Sequence, residues 1–309
     1  MAPKIGKIGL VGAGAVGGYY GLMLKKGGED IHFHIRSNFE KVREDGFCLV
    51  HHLPERKKET IQNVPVYRDS TSIGICNWII IATKATANEQ VMQLIRPMVD
   101  ENTSFLTLQN GMGNVEIIAE SYGENRVIIG GLCFTCINRT EQNRIESILP
   151  GYVQFGQHGE LLSEKGKSIV NAFERSGIRV RYADSLEEAL WRKLCWNIPF
   201  NGLSIVGGGI TTDLILANQV LRDRARQLMI EIQSAAIVHG VTIEDTFLEK
   251  QFELTEGMGP YRPSSLIDYQ EGKPVEVEAI FGEALRKGQS KGVGMVALNK
   301  LYTELLSIT

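Results

Sequence analysis

The stretch Lys7-Ile8-Gly9-Leu10-Val11-Gly12-Ala13-Gly14-Ala15-Val16-Gly17 decides the fold. Its first five residues read as a buried strand. The last six turn the chain into a helix that runs through Tyr19 to Lys26 and ends at Gly27-Gly28. A second strand follows at Ile31 to Ile35, making a β-α-β unit of about 30 residues with glycines spaced G-x-G-x-x-G. Gly12 permits the tight turn, Gly14 lets backbone N–H groups approach a pyrophosphate, and Gly17 lets helix and strand pack closely. Ala13, Ala15 and Val16 complete a loop whose helix N-terminus favours negative charge. The expectation is a dinucleotide-binding site.

The end of the second strand selects the dinucleotide. An acidic residue there would accept hydrogen bonds from a ribose 2′-hydroxyl, whereas arginine pairs with a 2′-phosphate. The chain has Arg36-Ser37, a charged fork followed by a hydroxyl, which points to NADP(H). Alternation continues with strands at Trp78 to Ala82, Phe105 to Leu108 and Val127 to Phe134, and helices near Glu89 to Ile95 and Val115 to Ser121. Such order implies an α/β fold with a doubly wound, mainly parallel, Rossmann-like sheet. Ligands sit beyond the carboxyl ends of strands in such sheets, which brings forward Lys84 in Thr83-Lys84-Ala85-Thr86 and Asn110 in Gln109-Asn110-Gly111. Residues 46–66 read as an inserted strand pair joined by a charged turn, with no chemistry assigned. Strands near Gly151 to Gly156 and Ile178 to Tyr182, around a helix at Leu162 to Ser176, close the domain.

From Leu186 the pattern becomes helical: Leu186 to Ile205, Asp213 to His239, Glu244 to Gly257, Val277 to Lys287 and Val296 to Leu306. The division expected is therefore 1–183 for the Rossmann-like domain and 184–309 for an all-helical C-terminal domain. Lys193, Asn197 and Asn201 recur at a spacing of four in the first of these helices, so they share one face among large apolar residues. Amide groups on such a helix need partners, from a buried protein network or from a ligand bearing carbonyl and carboxylate oxygens. Pro199 removes a backbone donor between the two asparagines and is expected to bend the helix.

Composition bounds the rest. The 309 residues suffice for two cores, and 43% hydrophobic with 22% charged residues is ordinary for a globular protein. A formal net charge of -3 disfavours nucleic-acid binding. The longest apolar run falls short of a membrane span. Met1-Ala2-Pro3-Lys4 leads straight into the first strand and leaves no signal-peptide core. Five cysteines without framework spacing suit a reducing cytoplasm. Cys133-Phe134-Thr135-Cys136 lacks the second pair that a zinc site requires, and His32 with His34 lacks a third ligand, so no metal is expected.

Together these motifs resemble the ketopantoate reductase family over nearly the whole chain. The resemblance is carried by the glycine fingerprint, Thr83-Lys84-Ala85, Gln109-Asn110-Gly111, the Lys193, Asn197, Asn201 ladder, and Ser264 with Asp268 and Glu276. It implies reduction of 2-dehydropantoate by NADPH, on the route to pantothenate, with another 2-oxo acid as the alternative substrate. A non-catalytic NADP(H)-binding regulator is disfavoured, because it has no need of Lys193 and Glu276 together. On this resemblance Lys193 is the general acid that protonates the substrate carbonyl oxygen. Glu276 holds the substrate hydroxyl and orients Lys193; Asn197, Asn201 and Ser264 bind substrate oxygens; Lys84 and Asn110 bridge cofactor and substrate. A helical C-terminal domain of this kind leaves a homodimer open, though no single apolar stripe designates an interface.

Overall fold

The computed structural model describes residues 5–309. Met1–Lys4, the segment read as leading directly into the first strand, lies outside the described residues. The chain forms two compact units. The first takes the chain up to Gln109 and resumes at Asn114–Leu186; the second takes Asn110–Gly113 and Glu187–Thr309.

The first unit is built on a 10-stranded sheet. Strand β1 (Lys7–Val11) pairs in parallel with β2 (Asp30–His34) on one side and β6 (Trp78–Ile81) on the other. From β6 the sheet continues in parallel through β7 (Ser104–Thr107) to β8 (Ile128–Arg139). Helices α1 (Ala15–Lys26), α2 (Phe39–Asp45), α3 (Asn88–Leu94), α4 (Asn114–Tyr122) and α5 (Glu164–Arg175) belong to the same unit. Ile8, Leu10, Ile79, Ile80, Ile81, Phe105 and Leu106 are all fully buried. A parallel sheet covered on both faces demands such unbroken apolar runs, which is why these strands were legible. Because the chain leaves β1 for β2 and returns on the other side at β6, strand order reverses beside the glycine loop, where open α/β sheets bind ligands.

The far side of the sheet departs from the expected short strands. Strand β8 runs on to Arg139, turns, and returns as β9 (Arg144–Gln157) in antiparallel pairing. On this extension Ile145 packs on α1, where a Cβ on Gly18 would stand 2.4 Å from the Ile145 Cδ1. The inserted pair is present as β3 (Phe47–His51) and β4 (Lys57–Ile61), antiparallel to each other. It is part of the main sheet, since β3 pairs in parallel with the first part of β9. The short strands β5 (Val66–Tyr67) and β10 (Val180–Tyr182) lie beside β2 and the later part of β9.

The first unit ends at Leu186 rather than Ala183. Leu186 fills the space left by two glycines on β8 and β9: a Cβ on Gly130 would meet its Cδ1 at 2.5 Å, and one on Gly156 its Cα at 2.8 Å.

The second unit is helical: α6 (Leu186–Val206), α7 (Thr212–Ala217), α8 (Gln219–Val238), α9 (Asp245–Glu256), α10 (Ser264–Gln270), α11 (Glu283–Ser290) and α12 (Val296–Ile308). A π-helical turn, Glu278–Gly282, leads directly into α11. Trp191, Phe200, Ile232 and Phe281 are fully buried and belong to one apolar core. Helix α6 continues through Pro199 to Val206 without interruption. The single helix expected over Asp213 to His239 is two, because the Asn218 side chain accepts from Leu221 N at 3.2 Å and caps α8. Asparagine satisfies exposed N–H groups better as a cap than within a helix, so the chain breaks there. No helix among the described residues is long and apolar enough to cross a membrane.

Candidate active site

The glycine loop has the geometry its sequence requires. Gly12 takes φ +97°, and a Cβ there would lie 2.4 Å from the backbone N of Thr83 and 2.5 Å from the carbonyl carbon of Ala82. A Cβ on Gly17 would lie 2.2 Å from Gly12 O and 2.7 Å from the Ala82 Cβ, so helix and loop touch backbone to backbone. Gly14 is different: apart from its chain neighbours, no atom of the described residues lies within 4 Å of the position a Cβ would take. Gly14 therefore leaves open a space that its own packing does not need, at the N-terminus of α1. The first turn of α1 carries no acidic residue, and Lys25 and Lys26 occupy its last turn. The helix dipole thus meets no competing carboxylate where a pyrophosphate would bind, and the residues fit a dinucleotide.

Around this loop the first unit supplies three further groups. Arg36 is exposed just beyond β2, where a 2′-phosphate on the adenosine ribose would pass. Lys84 is exposed just beyond β6, at the start of the short turn Ala85–Ala87. Arg139, which the sequence reading missed, donates from Nη1 to Ala13 O at 2.5 Å and from Nη2 to Gln142 O. No local pattern announces it, because it reaches the loop across 126 residues of sequence.

The segment after β7 is held by a buried amide network. Gln109 accepts from the Thr107 hydroxyl at 2.9 Å and donates to Asn88 Oδ1 at 2.7 Å, and Asn88 donates in turn to Asn114 Oδ1 at 2.9 Å. Both ends of the Asn110–Gly113 loop are thereby fixed within the first unit. The loop itself belongs to the second.

There the ladder on α6 meets it. Lys193 donates from Nζ to Asn110 Oδ1 at 3.0 Å. This bond joins two residues singled out from sequence positions 83 apart. Asn197 is 7% exposed and Asn201 2%. The Asn201 amide donates to Asn197 O at 3.0 Å, and its Oδ1 accepts from Ser265 N at 3.0 Å. Asn201 is thus engaged by protein through both ends of its carboxamide, anchoring the first turn of α10, with one N–H and one oxygen lone pair beyond these two bonds. Within the same stretch, burial pushes the Cys195 thiol up to about 12, which leaves no thiolate to act as a nucleophile at neutral pH.

Ser264 opens α10 and is exposed, whereas Ser265 is buried. Glu276 is 3% exposed and stands at the head of the next helical run, where its carbonyl accepts from Ile280 N at 3.1 Å. A carboxylate at that position is favoured by the helix dipole. Among the described residues no three His, Cys, Asp or Glu side chains gather as a metal site.

Comparison with known proteins gives the same picture over the full chain. Residues 8–160 match the family model of ketopantoate reductase PanE/ApbA, and residues 185–308 match that of its C-terminal region. A 2-dehydropantoate 2-reductase of Nostoc sp. is 38% identical, over 97% of this chain and 94% of that protein. The crystal structure of a 2-dehydropantoate 2-reductase from Geobacter metallireducens superposes with a TM-score of 0.93 at 37% identity, covering 98% of this chain and 100% of that one. One from Methylococcus capsulatus gives 0.89 at 29% identity, covering 97% and 96%.

Proposed function

The chain belongs to the ketopantoate reductase family, and we propose that it reduces 2-dehydropantoate to pantoate with NADPH, a step that supplies the precursor of pantothenate and coenzyme A. The observation that carries the residue assignment is the Lys193 Nζ to Asn110 Oδ1 hydrogen bond, which holds an ammonium group on a helix face lined by amides.

Bound NADPH supplies the hydride. The Lys193 ammonium would stabilise the negative charge that reduction places on the substrate carbonyl oxygen and give that oxygen its proton. Asn110 holds Nζ through a neutral amide oxygen, which aims the lysine without neutralising it. Glu276 accepts from the substrate hydroxyl and helps to orient Lys193. Asn197 and Ser264 donate to substrate oxygens. Asn201 sets α10 and Ser264 in place and contributes its one remaining N–H. Gly12, Ala13, Gly14, Ala15, Val16 and Gly17 form the pyrophosphate loop, Arg36 pairs with the 2′-phosphate, and Lys84 bridges cofactor and substrate.

We place the enzyme in the cytoplasm, where cysteines that form no disulfide among the described residues stay reduced. We take it to act on a small 2-oxo acid and to assemble as a homodimer, for which exposed Val220 and Val296 offer apolar surface. Sedimentation giving a monomer would remove the assembly.

A panel of 2-oxo acids assayed with NADPH and NADH tests the reading. Ketopantoate with NADPH is expected to give the highest kcat/KM. Comparable turnover of several 2-oxo acids would move the assignment to another substrate. Lys193→Ala is expected to lose about 10²–10⁴ in kcat, the usual worth of a positioned proton donor, with NADPH affinity retained. Equal rates would remove Lys193 as the acid.

A further inference from the structure

In the interior of an α-helix each carbonyl accepts the backbone N–H four residues on. The run that follows Glu276 breaks this rule. Glu283 N donates to Glu278 O, five residues back, so the donor that would serve Ala279 O in an α-helix is diverted. Ala279 O accepts instead from Met112 N at 2.8 Å. The partner loop is shaped for the contact: Gly111 has φ +84°, and a Cβ there would lie 2.2 Å from Ala279 O and 2.4 Å from its carbonyl carbon. Asn110, which accepts from Lys193, is the residue before Gly111.

A side-chain brace spans the π-helical turn. Arg286 donates from Nη1 to Glu278 Oε2 at 2.8 Å and from Nη2 to Glu283 Oε2 at 2.9 Å, and the Tyr302 hydroxyl donates to Glu278 Oε1. Gly282 makes room for it, since a Cβ there would stand 2.7 Å from Glu278 Oε2 and 3.1 Å from Arg286 Nη1. π-Helical turns are uncommon and concentrate at functional sites.

We propose that the π-helical turn Glu278–Gly282 is the seat that sets Asn110, and through it Lys193, with Gly111 and Arg286 as positioning residues. The turn offers Ala279 O, Met112 takes it, Gly111 allows the close approach, and Asn110 is fixed one residue away. Arg286 braces the turn by spanning its two carboxylates. This inference rests on Lys193 being the proton donor.

The test uses Gly111→Ala, Arg286→Ala and Arg286→Lys in the full chain. Misplacing a reacting group by about 1 Å costs on the order of 100-fold. Gly111→Ala is therefore expected to lower kcat by tenfold to a hundredfold, in the range of about 1 Å of misplacement. Arg286→Ala is expected to lower it severalfold, with KM for ketopantoate and the NADPH dissociation constant unchanged. Arg286→Lys should recover part of the loss, since an ammonium cannot bridge two carboxylates as a guanidinium fork does. Arg286 is exposed, so its removal leaves the fold intact even where Gly111→Ala does not.

A second readout needs no turnover. In protein labelled with ¹⁵N at asparagine, the Asn110 carboxamide signal, identified by its loss in Asn110→Asp, is expected to shift or broaden in Gly111→Ala and Arg286→Ala. An unmoved signal, or kcat, KM and cofactor affinity falling together, overturns the proposal. A wild type that ignores ketopantoate overturns the substrate reading instead, and leaves the carboxamide signal to decide the role of the turn.

Discussion

Gly14 and Gly17 carry the same residue type for opposite reasons. A methyl group on Gly17 would press on the Gly12 carbonyl and the Ala82 Cβ, whereas one on Gly14 would meet nothing among the described residues beyond its chain neighbours. Gly17→Ala is expected to cost about 1–3 kcal/mol as an overpacked contact, seen as a lower urea midpoint without cofactor. Gly14→Ala should leave that midpoint in place and weaken NADPH binding, because its methyl occupies only the space that a pyrophosphate would use. Equal loss of stability in the two variants would show that Gly14 also packs against protein. At this scale the sequence was informative, because glycine spacing, Arg36 and the Lys193 face are local patterns. Arg139 was not legible: its contact with Ala13 exists only once β8 has extended far enough to deliver it.

Elements were legible where apolar period decides structure and illegible where a capping side chain interrupts that period. The strands from β1 to β7 follow from buried isoleucine and phenylalanine runs. The break between α7 and α8 follows from capping, which sequence period does not report, whereas α12 starts at Val296 as expected. Glu231 on α8 is 6% exposed and accepts from Ala297 N at 2.8 Å and Leu298 N at 2.9 Å, so a residue 66 positions earlier caps α12. Glu231→Ala leaves both donors without an acceptor and is expected to destabilise the fold by about 0.5–2 kcal/mol, toward the upper end because the site is buried. Urea unfolding measures it, and an unchanged midpoint would mean that solvent replaces the carboxylate. Asn201→Ala should act likewise on α10 through Ser265 N, at about 1–3 kcal/mol. Here a raised KM is expected to accompany the loss, since Ser264 starts the same helix.

For the whole molecule, division into a sheet unit and a helical unit was readable from the change in hydrophobic period near Leu186. Assignment of Asn110–Gly113 to the helical unit was not, because that segment follows a strand and its Asn-Gly reads locally as an ordinary turn. One consequence is that residues 187–309 do not contain all of their own unit, and Lys193 lacks its Asn110 partner in any such fragment. A second consequence concerns cofactor linkage. A ligand that binds only the folded state stabilises it by about 2.7 kcal/mol when its concentration is 100-fold above its dissociation constant. For a unit the size of the first, that corresponds to a rise of roughly 5–10 °C in its melting temperature. NADH lacks the 2′-phosphate, and a charge-assisted bond of that kind contributes about 1.5–3 kcal/mol. At the same concentration NADH should therefore raise the melting temperature far less than NADPH. Arg36→Ala should bring the NADPH curve down to the NADH curve and leave the latter unmoved. Because Arg36 is exposed, added salt should narrow the gap in the wild type as well. Equal shifts with both cofactors in the wild type, or a gap that survives Arg36→Ala, would take the choice of cofactor away from Arg36.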